Sequence, residues 1–294
     1  MKTAVILHGN LRTFFMPLRE DRGLRVCDLI LSNVVKPNNA DLFLVTDVTD
    51  FYHGGMQYCS PGHALQSRNY HAVGIMEPGE ARLILSAELG SFFGDLVKEM
   101  SIIDPINIAE DPKFILLSEA SALSTKTHKA GCIPEGLVNQ YYKIKLAYDS
   151  LRRHEEAYSV RYDLVFRGRF DIMYGRSPLN LNLFDYSSND VYVPGPGGSV
   201  PLIYDWSAFG TRRAMDLALR LYDQLGFTLS NRIYRCECKG CGRVVVGGME
   251  KCCGEMEYEE MSLSSEYHLY RLFRDNGVRY ALASGCSAAP YRYS

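Results

Sequence analysis

The 294-residue chain lacks several features that mark particular classes of protein. It has no apolar run of the roughly 18 to 20 residues that a membrane-spanning helix needs. Its first apolar stretch soon meets His8, Asn10 and Arg12, which is not typical of a signal peptide. It also has no Asn-x-Ser/Thr site for N-glycosylation. With the cysteine pattern described below, these absences predict a cytoplasmic protein without a transmembrane segment.

The chain also lacks an excess of charge of either sign. Its 32 Lys and Arg residues nearly balance 34 Asp and Glu residues, which gives a formal net charge of -2 at pH 7. Nucleic acids and anionic membranes are bound through clustered positive charge, so we expect neither as a partner. The sequence Gly-x-x-x-x-Gly-Lys-Ser/Thr is absent as well, which argues against a P-loop kinase or sulfotransferase.

Short apolar runs alternate with segments of helical periodicity. Residues 3–7 and 41–47 are typical of buried strands, and residues 17–35 between them have a loosely helical pattern. This order predicts an α/β domain with a mixed, mostly parallel sheet flanked by helices. Further helices are predicted at 80–100, 134–158, 212–225 and 262–275, and further strands at 113–117, 162–166, 190–193, 202–209 and 279–283. The cysteine-rich segment 231–260 is an insertion in this single domain.

Ligands of open α/β sheets bind beyond the carboxyl ends of the strands, so the residues that follow those ends are site candidates. The first strand is followed by His8, Gly9 and Arg12, and the second ends at Asp47. A glycine lets the backbone approach a ligand closely, and Arg12 would reach the phosphates of a nucleotide. An ordinary turn glycine and a surface arginine are the alternative.

The strand after the long helix ends in an alternating charged sequence. Arg167, Arg169 and Asp171 would share one face if the extended backbone continues. Arginine pairs with phosphate oxygens in a bidentate way, and a carboxylate with phosphate oxygens is the usual way to hold Mg²⁺ or Mn²⁺. This pattern predicts a site for a diphosphate and its metal ion. An ion-paired strand edge is the alternative.

Short motifs accompany these elements along the chain. They are Gly9 and Arg12, Gln140 with Tyr142 and Lys143, Tyr162 and Asp163 followed by Arg167, Arg169 and Asp171, residues 205–210, and Glu266. In this order they resemble the motifs of a group of small GT-A-type glycosyltransferases that occur in bacteria, plants and large DNA viruses. The resemblance covers most of the chain, except residues 50–130 and the cysteine insertion.

The resemblance implies a GT-A-like fold, in which a nucleotide-sugar-binding half (1–175) leads into a mixed acceptor half (176–294). It implies an enzyme that transfers a sugar from a nucleotide-sugar, with UDP expected as the nucleotide, to an acceptor hydroxyl, expected to belong to a glycan. Arg169-x-Asp171 takes the place of the usual Asp-x-Asp motif, so that Asp171 would hold Mn²⁺ or Mg²⁺.

The resemblance and the charges also suggest roles for single residues. The donor diphosphate would be bound by His8, Gly9, Arg12, Asp47, Lys143, Arg167 and Arg169. Asp205 and Glu266 are candidates for the catalytic base, and Trp206 for an acceptor contact. The alternatives are an exposed helix charge for Lys143, a turn residue for Asp205, a first-turn glutamate for Glu266 and a core tryptophan.

Nine cysteines cannot all pair internally, and five of them lie close together. These are Cys236, Cys238, Cys241, Cys252 and Cys253. Cys238-x-x-Cys241 resembles a zinc-ribbon knuckle, which predicts a structural Zn²⁺ in the insertion. Disulfides and free thiols are the alternatives. A non-catalytic zinc-ribbon adaptor that binds a protein is the competing function, and a nucleotidyltransferase is a second enzymatic interpretation.

Overall fold

The computed structural model describes the greater part of the chain. The described residues are 1–11, 14–15, 18, 23–48, 78–104, 111–113, 115, 134–175, 177–193, 206–224, 233–235, 244–246, 269, 272–283 and 288–290. The strands are β1 Thr3–His8, β2 Asp41–Asp47, β3 Val97–Ile103, β4 Leu164–Arg169, β5 Ile172–Tyr174, β6 Val191–Val193, β7 Ser207–Thr211, β8 Ile233–Arg235, β9 Val244–Val246, β10 Tyr280–Leu282 and β11 Ala288–Pro290. Among the described residues, the α-helices with assigned bounds are α1 Val26–Ile30, α2 Pro78–Phe93, α3 Pro134–Tyr158 and α4 Arg212–Leu219, and residues 272–275 are also helical.

Within these residues, seven strands form one sheet in the order β10-β6-β7-β4-β1-β2-β3. β1 is parallel to both β2 and β4, and β2 is parallel to β3. β7 is antiparallel to β4 and to β6, while β10 is parallel to β6. A parallel half is therefore followed by a mixed half, which confirms the predicted mixed, mostly parallel sheet.

The connections place a topological switch point in the parallel half. From β1 the chain passes to β2 and β3 on one side, and it returns through α3 to β4 on the other side. The strand order therefore reverses between the carboxyl ends of β1 and β4. Open α/β sheets bind ligands at such a point.

Alternating side chains of the strands enter two separate cores. Ala4 and Ile6 of β1 pack on the face covered by α3 and α4, with Ile144 among their neighbours. Val5 and Leu7 pack on the opposite face, which is covered by α1 and α2. Because side chains alternate along a strand, the last residue of β1, His8, faces α3. The same alternation points Asp47, Arg167 and Arg169 toward α3, since Val45 and Val165 lie in the α3 core.

Some predicted boundaries are confirmed, and some are wrong. β2 and α3 begin and end where the sequence predicts. The helix predicted at 80–100 instead ends at Phe93, and β3 follows. Gly94 has a φ of 56°, a left-handed conformation that glycine adopts readily and that commonly ends a helix.

The strand predicted at 113–117 is also wrong, because Lys113 and Ile115 are helical. The carboxylate of Asp111 accepts the Lys113 amide hydrogen bond at 2.8 Å, which caps this helical turn. The Asp-Pro pair at 111–112 is the helix-start signal that the apolar pattern concealed.

The cysteine insertion is described only in part. β8 and β9 pair as a short antiparallel ribbon, but the five cysteines assigned to zinc lie outside the described residues. Among the helices that the structure does describe, none combines the length and apolar character needed to cross a membrane.

Candidate functional site

The topological switch point gathers side chains from four different elements. His8 and Arg169 end β1 and β4, and they are direct partners in the register of these two strands. Asp47 ends β2, and Lys143 reaches the same place from α3. We call His8, Asp47, Lys143, Arg167, Arg169 and Asp171 the switch-point cluster. Residues separated by more than a hundred positions in sequence therefore meet at the place where open α/β sheets commonly bind a ligand.

Lys143 is buried inside the cluster, with 2% of its side chain exposed. Its ammonium group forms an ion pair with the Asp47 carboxylate and donates a hydrogen bond to Oδ1 of Asn10 at 2.6 Å. The alternative of an exposed helix charge is therefore wrong. Asn10 was not among the sequence candidates, although its position just after Gly9 at the end of β1 is the signal that would have found it.

Arg167 lies deeper in the sheet, and no part of its side chain is exposed. Its register partners are Ile6 of β1 and Ala208 of β7, so a guanidinium group occupies a central position of the sheet. A buried charge is costly unless it is matched by opposite charge and hydrogen bonds. Arg167 is too deeply buried for the ordinary strand-edge ion pair considered as the alternative, whereas Arg169 and Asp171 do form an ion pair of that kind.

His8 is fully buried beside these cations. Burial, followed by the positive charges of Arg167, Arg169 and Lys143, holds the pKa of His8 well below its usual value of 6.5. The imidazole is therefore neutral at pH 7 and has one donor and one acceptor nitrogen. Among the residues that the structure describes, neither ring nitrogen has a hydrogen-bond partner.

Arg169 and Asp171 form the most accessible part of the cluster, with side chains 26% and 14% exposed. Nε of Arg169 donates to Oδ1 of Asp171 at 2.8 Å, and Nη2 donates to Oδ2 at 2.6 Å. The extended backbone does not continue to Asp171 as expected, because β4 ends at Arg169. Phe170 lies in the core on the opposite face of the sheet, and Asp171 pairs with Arg169 within the turn that follows β4.

Gly9 leaves the backbone accessible at the end of β1. It has a φ of 105°, which a side chain would strain, and a Cβ added there would meet no atom within 4 Å among the described residues. Its amide donates to the carbonyl of Val45 at 3.1 Å, which fixes the turn. A ligand can therefore approach the backbone at this position.

The structure places one further candidate and leaves others undescribed. Trp206 directly precedes β7, and because β7 is antiparallel, its start lies at the same sheet edge as the end of β4. Trp206 is half-buried and packs against the α1 and α2 core. Arg12, Asp205, Glu266 and the cysteines at 236, 238, 241, 252 and 253 lie outside the described residues.

Comparisons with known proteins add little to this geometry. No protein-family model matches the chain, and no curated protein matches it. One similar solved structure is a nucleoside-diphosphate-sugar pyrophosphorylase from Vibrio cholerae RC9. It is 10% identical, with 95% of this chain and 91% of that chain covered, at a TM-score of 0.39. A likeness at this TM-score shows nothing about the activity of this chain.

Proposed function

We propose that the chain is a glycosyltransferase, which transfers a sugar from a nucleotide-sugar, expected to be a UDP-sugar, to an acceptor hydroxyl, expected to belong to a glycan. The observation that carries the proposal is the group of cations at the topological switch point. Lys143, Arg167 and Arg169 reach this point from two elements and lie on one face of the sheet.

The charge of the switch-point cluster suits an anionic ligand. Its described members include three cationic side chains and two carboxylates, while His8 is neutral. The net charge of the cluster is therefore positive. Because the site is mostly withdrawn from water, electrostatic interactions there are stronger than at an exposed surface. The diphosphate of a nucleotide-sugar is a ligand of matching charge. Arg12, three positions after Gly9, would add a further cation.

The arrangement of the sheet also supports a nucleotide-sugar enzyme of the type that the sequence motifs resemble. The parallel strands β3, β2, β1 and β4 form one half, and β7, β6 and β10 form a mixed half. The resemblance implies such a division into a nucleotide half and an acceptor half. Three of the motifs that carry the resemblance contain Gly9, Lys143 and Arg169. These three residues meet at the carboxyl ends of the parallel strands.

The reaction follows from the roles of these groups. The nucleoside diphosphate leaves the anomeric carbon of the sugar, and Arg167, Arg169 and Lys143 stabilise the charge that develops on it. In an inverting reaction, a carboxylate accepts the proton of the attacking hydroxyl. Asp205 and Glu266 are the proposed bases. Asp205 comes two residues before β7, whose first residue lies at the same sheet edge as the cluster.

An assay of the released product tests this proposal. The protein is incubated with UDP-sugars and a panel of glycan acceptors, and a glycosyltransferase releases UDP. Asp205→Asn and Glu266→Gln are both tested. The substitution that removes the catalytic base should lower turnover by about 10² to 10⁴-fold. Glu156→Gln, at an exposed position of α3, is the matched control and should turn over normally.

Two outcomes contradict the proposal. Release of pyrophosphate from a nucleoside triphosphate and a sugar 1-phosphate would identify a nucleotidyltransferase. Folded protein that neither binds nor turns over any nucleotide or nucleotide-sugar would favour the non-catalytic adaptor.

A further inference from the structure

Asp171, the carboxylate that the sequence assigns to a divalent cation, is already bound by a guanidinium group. Both of its oxygens accept hydrogen bonds from Arg169, at 2.8 and 2.6 Å. Bidentate pairs of this kind are among the stronger side-chain interactions in proteins. A divalent cation at Asp171 would have to displace this guanidinium or lie beside a like charge.

The other carboxylate of the switch-point cluster does not fit a metal ion either. Asp47 is almost entirely buried and forms an ion pair with Lys143. Mg²⁺ is usually bound through one or two carboxylates together with the substrate phosphates. Among the described residues, no three His, Cys, Asp or Glu side chains come together in a way that could hold a metal ion. The described part of the site therefore does not fit a divalent cation.

We infer that the guanidinium group of Arg169 takes the place of the divalent cation, so that the nucleoside diphosphate binds to this site without a metal. Arg169 is the most exposed cation of the cluster, and its guanidinium presents N–H donors in a planar fork that matches the oxygens of a phosphate. Asp171 then acts as a positioning residue that fixes the plane of this guanidinium. The inference rests on the proposed function, because it concerns the same diphosphate.

The replacement of the first Asp of the Asp-x-Asp motif by Arg169 also supports diphosphate binding without a metal. The Asp-x-Asp motif that the resemblance implies would supply two carboxylates and two negative charges. Arg169 replaces the first of these with a positive charge, which changes the local charge by two units. The buried guanidinium of Arg167 on the same face of β4 adds to the positive potential. A diphosphate is attracted to such a site, whereas a divalent cation is repelled by it.

Calorimetric titration tests the inference without relying on turnover. UDP, GDP, CDP and ADP are each titrated into the full chain, once in EDTA and once in Mn²⁺. We expect one of them to bind in EDTA with a Kd within about threefold of the value in Mn²⁺. Binding that requires Mn²⁺ would overturn the inference and leave the proposed function standing. Absence of binding in both buffers would overturn the proposed function, and the inference with it.

The same titrations with variants of Arg169 test the role of this residue directly. Arg169→Asp restores two carboxylates, so this variant should lose binding in EDTA by about tenfold or more and regain it with Mn²⁺. Arg152→Ala removes an arginine from an exposed pair with Glu156 on α3 and should bind as the original chain does. Circular dichroism and the melting temperature check that both variants fold. Unchanged binding of Arg169→Asp in EDTA would contradict the role given to Arg169.

Discussion

The ammonium group of Lys143 pairs with the carboxylate of Asp47, and both side chains are almost completely withdrawn from water. A second hydrogen bond, to Oδ1 of Asn10 at 2.6 Å, ties the same ammonium group to the end of β1. One side chain of α3 therefore joins the carboxyl ends of two adjacent strands. The contact holds the switch-point cluster together, and its removal would leave a buried carboxylate without this partner.

We predict that Lys143→Met lowers the free energy of unfolding by about 3 to 5 kcal/mol, because it leaves the charge of Asp47 buried and uncompensated. Lys145→Met on the same helix is the matched control. Lys145 pairs with Asp149 at 2.6 Å at a partly exposed position, so its loss should cost less than about 1 kcal/mol. Urea unfolding measures both values. Equal losses would show that the buried pair with Asp47 has no special structural role.

Gly168 gives a prediction about packing on the opposite face of β4. A Cβ at this position would overlap the hydroxyl group of Tyr174 and crowd the ring of Phe166. Gly168→Ala should therefore destabilise the fold by about 1 to 3 kcal/mol, as overpacking of a core does. Gly90→Ala on α2 is the control. No atom of the described residues lies within 4 Å of its added Cβ, and alanine favours a helix by about 1 kcal/mol.

The same unfolding experiment can locate the cause of the effect. Adding Tyr174→Phe to Gly168→Ala removes the oxygen that overlaps, so the double variant should recover part of the lost stability. A Gly168→Ala variant as stable as Gly90→Ala would contradict the close approach of Tyr174.

The lowered pKa of His8 predicts a pH dependence of stability. The unfolded chain binds a proton at His8 near pH 6.5, whereas the folded chain does so only at a lower pH. The contribution of neutral His8 to the free energy of unfolding is therefore complete above pH 6.5. It decreases as the pH falls below 6.5, by up to about 1.4 kcal/mol for each pH unit. His8→Leu lacks this titration. Unfolding measured at pH 7.5 and pH 5.5 should show a smaller loss for the variant, and parallel losses would contradict the prediction.

The cysteine cluster carries the prediction of a structural zinc ion. Protein purified without chelator should contain about one zinc per chain, and Cys241→Ser should reduce the zinc content and the melting temperature. Cys27→Ala is the control, since burial raises the pKa of the Cys27 thiol to about 12 and withdraws it from metal chemistry. Zinc content is measured by mass spectrometry. Disulfides between these cysteines in the purified protein would contradict the prediction.

The sequence predicted most elements of the parallel half of the sheet because their apolar patterns are uninterrupted. β1, β2 and α3 follow from runs such as 41–47 and from the first-turn proline at 134. β3 was missed because residues 83–100 keep a helical spacing of apolar residues, while the glycine at 94 ends the helix through its backbone conformation. The spacing of apolar residues does not reveal a helix end that one backbone conformation sets.

The site could be predicted as a set of strand-end residues but not as a set of contacts. His8, Asp47 and Arg169 were found because polar residues follow buried strands. The pairing of Lys143 with Asp47 could not be predicted, since it depends on which face of the sheet α3 covers. The sequence left open whether Asp171 holds a metal ion or forms an ion pair at the strand edge, and the bidentate contact with Arg169 is of the second kind.

The most direct test of the central claim measures amide hydrogen exchange with and without UDP, at a concentration that saturates any binding found by calorimetry. If a nucleoside diphosphate binds at the topological switch point, exchange slows in peptides that cover residues 7–12 and 166–172. It stays unchanged at the opposite edge of the sheet, in peptides that cover 160–163 and 211–213. Protection confined to that opposite edge, or protection nowhere with UDP and the other nucleoside diphosphates, would contradict the account.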